Sequence, residues 1–122
     1  MSHIVTLKSE VRDHAAVAAA CRRLSLSEPA QGTAELYSGQ ATGLLVHLPD
    51  WAYPVVIDTD TGAIRYDNYG GSWGDEQHLH RFLQAYVVER SRIEARRKSY
   101  ASTERALADG SILVEIEVGG PA

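Results

Sequence analysis

A chain of 122 residues with 44% apolar and 23% charged side chains can bury one core without disulfide or metal staples. A single domain over residues 1–122 is therefore expected, and a net charge of -4 argues against a dedicated nucleic-acid binder, which needs a basic face for phosphates. The start Met1-Ser2-His3-Ile4-Val5 lacks a basic segment leading into an apolar run, no apolar stretch approaches the ~20 residues of a membrane helix, and the lone Cys21 cannot close an internal disulfide, so a reducing, cytoplasmic setting is expected.

Residues 3–11 alternate, with Val5, Leu7 and Val11 on one side and Thr6, Lys8 and Glu10 on the other, which predicts a half-buried strand. Asp13 then caps an alanine-rich helix over about 14–24 with the stripe Val17, Cys21 and Leu24. Pro29 and Gly32 punctuate its exit. A β-meander follows from 33 to 69. Leu36 and Tyr37 form a short strand turning near Gly39, and Leu44, Val46 and Leu48 alternate in the next. Val55-Val56-Ile57 runs into the turn Asp58-Thr59-Asp60-Thr61-Gly62 and reverses into Ile64-Arg65-Tyr66.

Asp75 caps a second helix reaching about residue 99, with Leu79, Phe82, Leu83, Tyr86 and Ile93 as its apolar stripe. Its second half, 89–98, is nearly all charged and is expected to project past the sheet or lie on its rim. Ala108-Asp109-Gly110-Ser111 supplies a hairpin turn, and Ile112, Val114, Ile116 and Val118 alternate beyond it before Gly119-Gly120-Pro121 frays. The order β-α-β-β-β-β-α-β-β predicts an α+β fold: a mainly antiparallel sheet with two helices on one face.

The opening Ser2-His3-Ile4, the segment Tyr53-Pro54-Val55-Val56 with Asp58, the block from Tyr66 to Asp75, Phe82-Leu83-Gln84-Ala85-Tyr86 and the turn Asp109-Gly110-Ser111-Ile112 together resemble one family. It is the uncharacterised family of the hypothetical chloroplast open reading frame numbered thirty-five, known in cyanobacteria, plastid genomes and other bacteria. The resemblance spans essentially the whole chain and implies no established activity. It does imply neighbours, because genes of the family often lie beside genes for an AAA-type ATPase and another very small protein.

The densest stretch is Tyr66-Asp67-Asn68-Tyr69-Gly70-Gly71-Ser72-Trp73-Gly74-Asp75, a glycine-aromatic loop between a strand and a helix start. Free amides at 72–77 and the helix dipole could hold a carboxylate or phosphate, although a capping Asp75 satisfies some of those donors and repels anions. The alternative is structural: Trp73 and the tyrosines pin the helix to the sheet edge. Gly71-Ser72-Trp73-Gly74 matches the bare G-x-x-G of KH domains, but it joins a strand to a helix and carries no cation.

Asp58-Thr59-Asp60 resembles the D-x-D loop of haloacid-dehalogenase phosphatases, yet a strand follows it where that chemistry needs a helix. A calcium loop is excluded by Tyr69 at its twelfth position, where a glutamate is required. His78 and His80, with Asp75 and Glu76, offer metal-ligand chemistry, but helix neighbours two apart diverge, and a site needs help from His3 or His47. No metal or cofactor is expected. Cys21, on an apolar stripe, reads as an inert thiol. Arg90, Arg92, Arg96, Arg97 and Lys98 against Glu89 and Glu94 leave the helix end basic, either as a solvated terminus or as a docking patch for an acidic partner or RNA.

These readings converge on a non-enzymatic binding or adaptor module that presents the glycine-aromatic loop and the charged helix end to a protein partner. The partners implied by the resemblance are an AAA-type ATPase or a second small protein. The loop set is Tyr66, Asn68, Gly70, Gly71, Trp73, Asp75 and His78, and the basic set is Arg92, Arg96 and Arg97. Two alternatives stay open: a small-ligand binder or enzyme using a pocket at the second helix's N-terminus, and a weak RNA binder.

Overall fold

A computed structural model describes residues 4–117. Its elements are β1 (Val5–Leu7), α1 (His14–Arg23), β2 (Ala30–Leu36), β3 (Gly39–Val46), β4 (Val55–Asp58), β5 (Ala63–Tyr66), α2 (Glu76–Arg97), β6 (Ala101–Ala106) and β7 (Ile112–Glu117). The order is the one the sequence pattern predicts, and the class is α+β with antiparallel pairing throughout. β2 to β5 form a meander, and β1 closes onto its far edge in the order β1-β5-β4-β3-β2; β6 and β7 form a separate two-stranded sheet.

Register decides which side chains reach the core. Leu44 lies opposite Ile57, Val46 opposite Val55, and Leu7 opposite Ile64. Alternation then turns all of these to one face, where they meet Val17 and Cys21 of α1 and Leu79, Phe82 and Tyr86 of α2. The Tyr86 hydroxyl accepts from the backbone amides of Arg12 and Asp13 at 3.2 and 3.1 Å, tying α2 to the start of α1. The opposite face carries a smaller cluster of Ala34, Leu36, Ala41 and Val56, flanked by Ile4, Leu45 and Tyr53. No residue of either helix belongs to that cluster among the described residues.

Both helices start and stop by side-chain and backbone capping. Asp13 accepts from Ala16 N at 3.1 Å, and Asp75 accepts from Gln77 N at 2.9 Å. At the other ends, Leu26 N reaches Cys21 O at 2.8 Å and Tyr100 N reaches Ala95 O at 2.7 Å, each across a serine in the left-handed region, Ser25 (φ 58) and Ser99 (φ 58). A side chain there carries strain that glycine lacks. Replacing Ser25 or Ser99 by glycine is expected to raise the unfolding free energy by up to about 1 kcal/mol in urea melts. A loss of stability at both sites would show that the serine hydroxyls contribute more than the backbone relaxation.

Four sequence expectations shift. The first strand covers only Val5–Leu7, because the chain beyond it is captured by the β4–β5 turn: Val11 N donates to Gly62 O at 3.2 Å and Ser9 Oγ donates to the same carbonyl. The strand expected around Leu36 and Tyr37 is the longer β2, which includes Gly32, and Tyr37 sits in the turn after it. α2 ends at Arg97. Its charged half does not project freely. Glu89 and Ala95 are buried there, and α2 contacts both α1 and the β6–β7 hairpin. The expected positions of His3, Val118 and Gly119-Gly120-Pro121 lie outside the described residues.

Candidate functional site

β5 delivers the chain to the glycine-aromatic loop with Tyr66 turned toward the helices, its ring edge-on to Trp51 at 5.6 Å. The loop then folds on itself around Asn68. The Asn68 carbonyl accepts from Gly71 N at 3.0 Å and Trp73 N at 2.9 Å, and its carboxamide donates to Gly74 O at 3.2 Å. Tyr69, Gly70 and Gly71 all adopt positive φ, at 47°, 61° and 103°. Two of these are glycines, which tolerate it; Tyr69 does so under strain.

Trp51 fastens the loop to α2. Its indole Nε1 donates to Asp75 O at 2.9 Å, and the next residue, Ala52, donates its amide to Trp73 O at 2.8 Å. Gly74 is where the indole lies, since a Cβ there would stand 2.4 Å from the ring. Any side chain at 74 forces the indole out, so Gly74→Ala is expected to cost about 1–3 kcal/mol in denaturant melts. A cost below about 0.5 kcal/mol would mean Trp51 re-packs freely.

On the other side of the loop, three tyrosines surround Trp73. Tyr69 stacks on it at 4.8 Å and 21°, Tyr37 stands tilted at 5.2 Å, and Tyr53 meets it edge-on at 5.8 Å. Tyr37 and Tyr69 are 66% and 44% exposed, among the most exposed large apolar side chains described. Beside them lies Asp67, only 1% exposed. Its Oδ2 accepts from Ser38 Oγ at 3.1 Å, while Oδ1 is a buried polar atom with no hydrogen-bond partner among the described residues.

The predicted loop residues therefore divide. Gly70, Gly71 and Trp73 stand together at the ring cluster. Tyr66 and Asn68 are interior; their polar groups and rings build the loop and do not line an opening. Asp75 is committed to the Gln77 amide, as a helix cap should be. His78 is elsewhere, on a small cleft of about 150 Å³ with Leu24, Leu26, Leu48, Pro49 and Arg81. No group of three or more His, Cys, Asp or Glu residues is placed to hold a metal ion among the described residues.

The basic set is largely matched by acids. Arg23 bonds Glu89 at 2.9 Å and Glu104 at 2.9 Å, and Arg92 approaches Glu104 at 3.6 Å and Glu89 at 3.9 Å. Burial works against the Arg23 cation, but its hydrogen bonds to Glu89 and Glu104 prevail and hold its proton above the usual guanidinium range. Arg97 pairs with Glu94 at 3.2 Å, which leaves Arg96 as the one of the three without an ion pair among the described residues. Glu104, on β6, is the neutralising residue that local sequence could not assign to this helix.

Other motifs settle into structural roles. Asp58 Oδ1 accepts from Asp60 N at 3.0 Å and Gly62 N reaches Asp58 O at 2.7 Å, so Asp58-Thr59-Asp60 forms the β4–β5 turn. Burial, with Glu28 nearby, pushes the Cys21 thiol up to about 11 from 9.0. Between those values the unfolded chain releases this proton while the folded one keeps it, so stability is expected to fall as pH rises from 9 toward 11. The same burial predicts slow alkylation of Cys21 at neutral pH, accelerating on denaturation; equally fast labelling of folded protein would contradict it. An apolar groove of about 400 Å³ between Val11, Leu83, Tyr86, Val87 and Ile116 lies apart from the aromatic loop.

Tyr37, Ser38, Trp51, Tyr53, Asp67 and Tyr69 are absent from the predicted site set; Asp67 and Tyr69 lie within the loop it singled out, but nothing local in the chain brings positions 37 and 53 onto Trp73. The molecule is thus an α+β domain whose distinctive surface is an exposed ring cluster beside a buried carboxylate. No protein-family model, curated protein or solved structure matches the chain. No helix among the described residues is long and apolar enough to cross a membrane.

Proposed function

We propose that the chain is a non-enzymatic binding or adaptor module of the cytoplasm, and that the ring cluster of Tyr37, Tyr69 and Trp73 is its docking surface. The observation that carries this reading is the exposure of two tyrosines around one tryptophan, on a loop stapled from behind by Trp51 and Asn68. Large rings that are rigidly held and partly solvated are the side chains that dominate protein interfaces. The loop's own polar groups support binding over catalysis, because Asn68 and Asp75 are committed to backbone partners. An AAA-type ATPase, or a second small protein, is the partner that the family resemblance suggests.

The charged helix end contributes less. It lies 22 residues along α2 from the loop, roughly 30 Å at the rise of an α-helix, and two of its cations, Arg92 and Arg97, are held in ion pairs. Those pairs make Arg92 and Arg97 less available to an RNA phosphate, which weakens the RNA-binding alternative. Affinity capture from native lysate tests the reading. The wild-type chain should retain one specific protein, and the double substitution Tyr37→Ala, Tyr69→Ala should lose it by at least tenfold with its melting midpoint nearly unchanged. Retention by the double variant would move the docking surface elsewhere; turnover of a small molecule at the loop would favour the enzyme alternative.

A further inference from the structure

The two edges of the five-stranded sheet differ. β1 ends it with only Val5–Leu7, and so short an edge offers little to pair with. β2 ends it with the seven residues Ala30–Leu36, whose one strand partner among the described residues is β3. Tyr37-Ser38 is the turn between them, so Leu36 and Gly39 close the hairpin as a hydrogen-bonded pair. Alternation then gives the backbone groups of Ala34 and Gly32 to β3 and points those of Gln31, Thr33 and Glu35 off the sheet. Beyond the β2–β3 ladder, these three residues have no backbone hydrogen bond among the described residues. Their side chains are exposed. The common protections of such an edge are absent. The register to β3 holds one offset throughout, so β2 has no bulge, and it contains neither proline nor lysine.

From this we infer that β2 is a self-association edge: two copies of the chain pair β2 with β2, antiparallel about a two-fold axis at Thr33, into one continuous sheet with five strands from each copy. The inference is independent of the adaptor reading. In that register the strand is complementary to itself. Thr33 faces Thr33 of the second copy, Gln31 faces Glu35, and the outward backbone groups meet as the hydrogen-bonded pairs of an antiparallel ladder. An axis at Gly32 sets Glu35 against Pro29, which has no N–H, and one at Ala34 sets Gln31 against Tyr37 in the turn. The side chains agree with the axis at Thr33. Thr33 Oγ1 lies 2.7 Å from Thr42 Oγ1, and a second Thr33 extends that pair into a row of hydroxyls. Glu35 accepts from Gln40 Nε2 at 3.1 Å, and the facing Gln31 brings a further carboxamide donor. Like charges do not oppose, since the one charged residue of β2 meets a neutral amide. The other side of the strand carries Gly32 and Ala34 at the seam, whose small size lets the second strand approach.

One strand pair is a small interface, so a dissociation constant of about 1–100 μM is expected. Sedimentation equilibrium of the whole chain across that range should show the mass rising from one chain toward two. Hydrogen exchange followed by NMR should slow with concentration at the amides of Gln31, Thr33 and Glu35, while those of Gly32 and Ala34, already bonded to β3, stay unchanged. Thr33→Lys and Thr33→Glu each put like charges face to face on the axis. Either alone should weaken self-association by about fivefold or more, with an unchanged circular dichroism spectrum because Thr33 is exposed. An equimolar mixture of the two variants should restore it, since opposite charges then face each other, and a misfolded chain cannot be rescued in this way. A wild type that stays monomeric throughout overturns the inference. So does a dimer that both variants form as well as the wild type, a mixture that is not restored, or a dimer whose three outward amides exchange as fast as in the monomer. If the wild type is monomeric but Thr33→Lys loses a protein captured from lysate, the edge receives a partner's strand and the self-pairing is wrong.

Discussion

Truncating Phe82 to alanine is expected to lower the unfolding free energy by about 3–5 kcal/mol, the range for deleting a buried aromatic side chain. Phe82 is 0% exposed and sits in the cluster that joins α1, α2 and the helix-facing side of the five-stranded sheet. Urea unfolding monitored by circular dichroism gives the value. A cost below 1 kcal/mol would mean that α2 packs by another face. The Phe82→Leu variant should recover part of the loss, because it restores volume and apolar area together.

Removing Arg23 is expected to have a comparable effect for an electrostatic reason. Its guanidinium bridges Glu89 of α2 and Glu104 of β6, and so joins three elements that are distant in sequence. Among the described residues, Arg23→Ala leaves the buried Glu89 with only Arg92 at 3.9 Å, and breaking such a pair from one side costs about 3 kcal/mol. Replacing both partners by apolar residues, Arg23→Met with Glu89→Met, should restore most of that loss, because neither charge then remains desolvated. High salt should weaken the exposed Arg97–Glu94 pair more than this one. If the single substitution costs less than 1 kcal/mol, the β6–β7 hairpin is held by its apolar contacts and not by this bridge.

The relation between sequence and site is uneven. The Asp75 cap was legible because capping is a contact between neighbours, here Oδ1 on the amide two residues later. The ring cluster was legible in part: Tyr69 and Trp73 stand four residues apart in one loop, and their stacking follows from its tight fold. Tyr37 and Tyr53 join them only because β2, β3 and β4 pair in a register that brings the turn after β2 and the approach to β4 to the same end of the sheet. Asn68 and Tyr66 read as ligands from composition alone. Burial reverses that reading, since a buried carboxamide must spend its hydrogen bonds on the backbone around it.

The helices and strands themselves were determined by the chain's own periodicity. Apolar residues at every second position over 44–48 and 112–116, helical spacing in Leu79, Phe82, Leu83 and Tyr86, and aspartates at both helix starts act over a few residues and need no distant partner. Only the tertiary structure decided that β1 pairs with β5, that β6 and β7 leave the main sheet to cover the charged half of α2, and that Glu104 cancels Arg92. It also decided that Asp67 is enclosed, with one oxygen unpaired among the described residues. Each of these depends on residues far apart in the chain being desolvated together, a condition of the packed molecule that no short stretch of sequence carries.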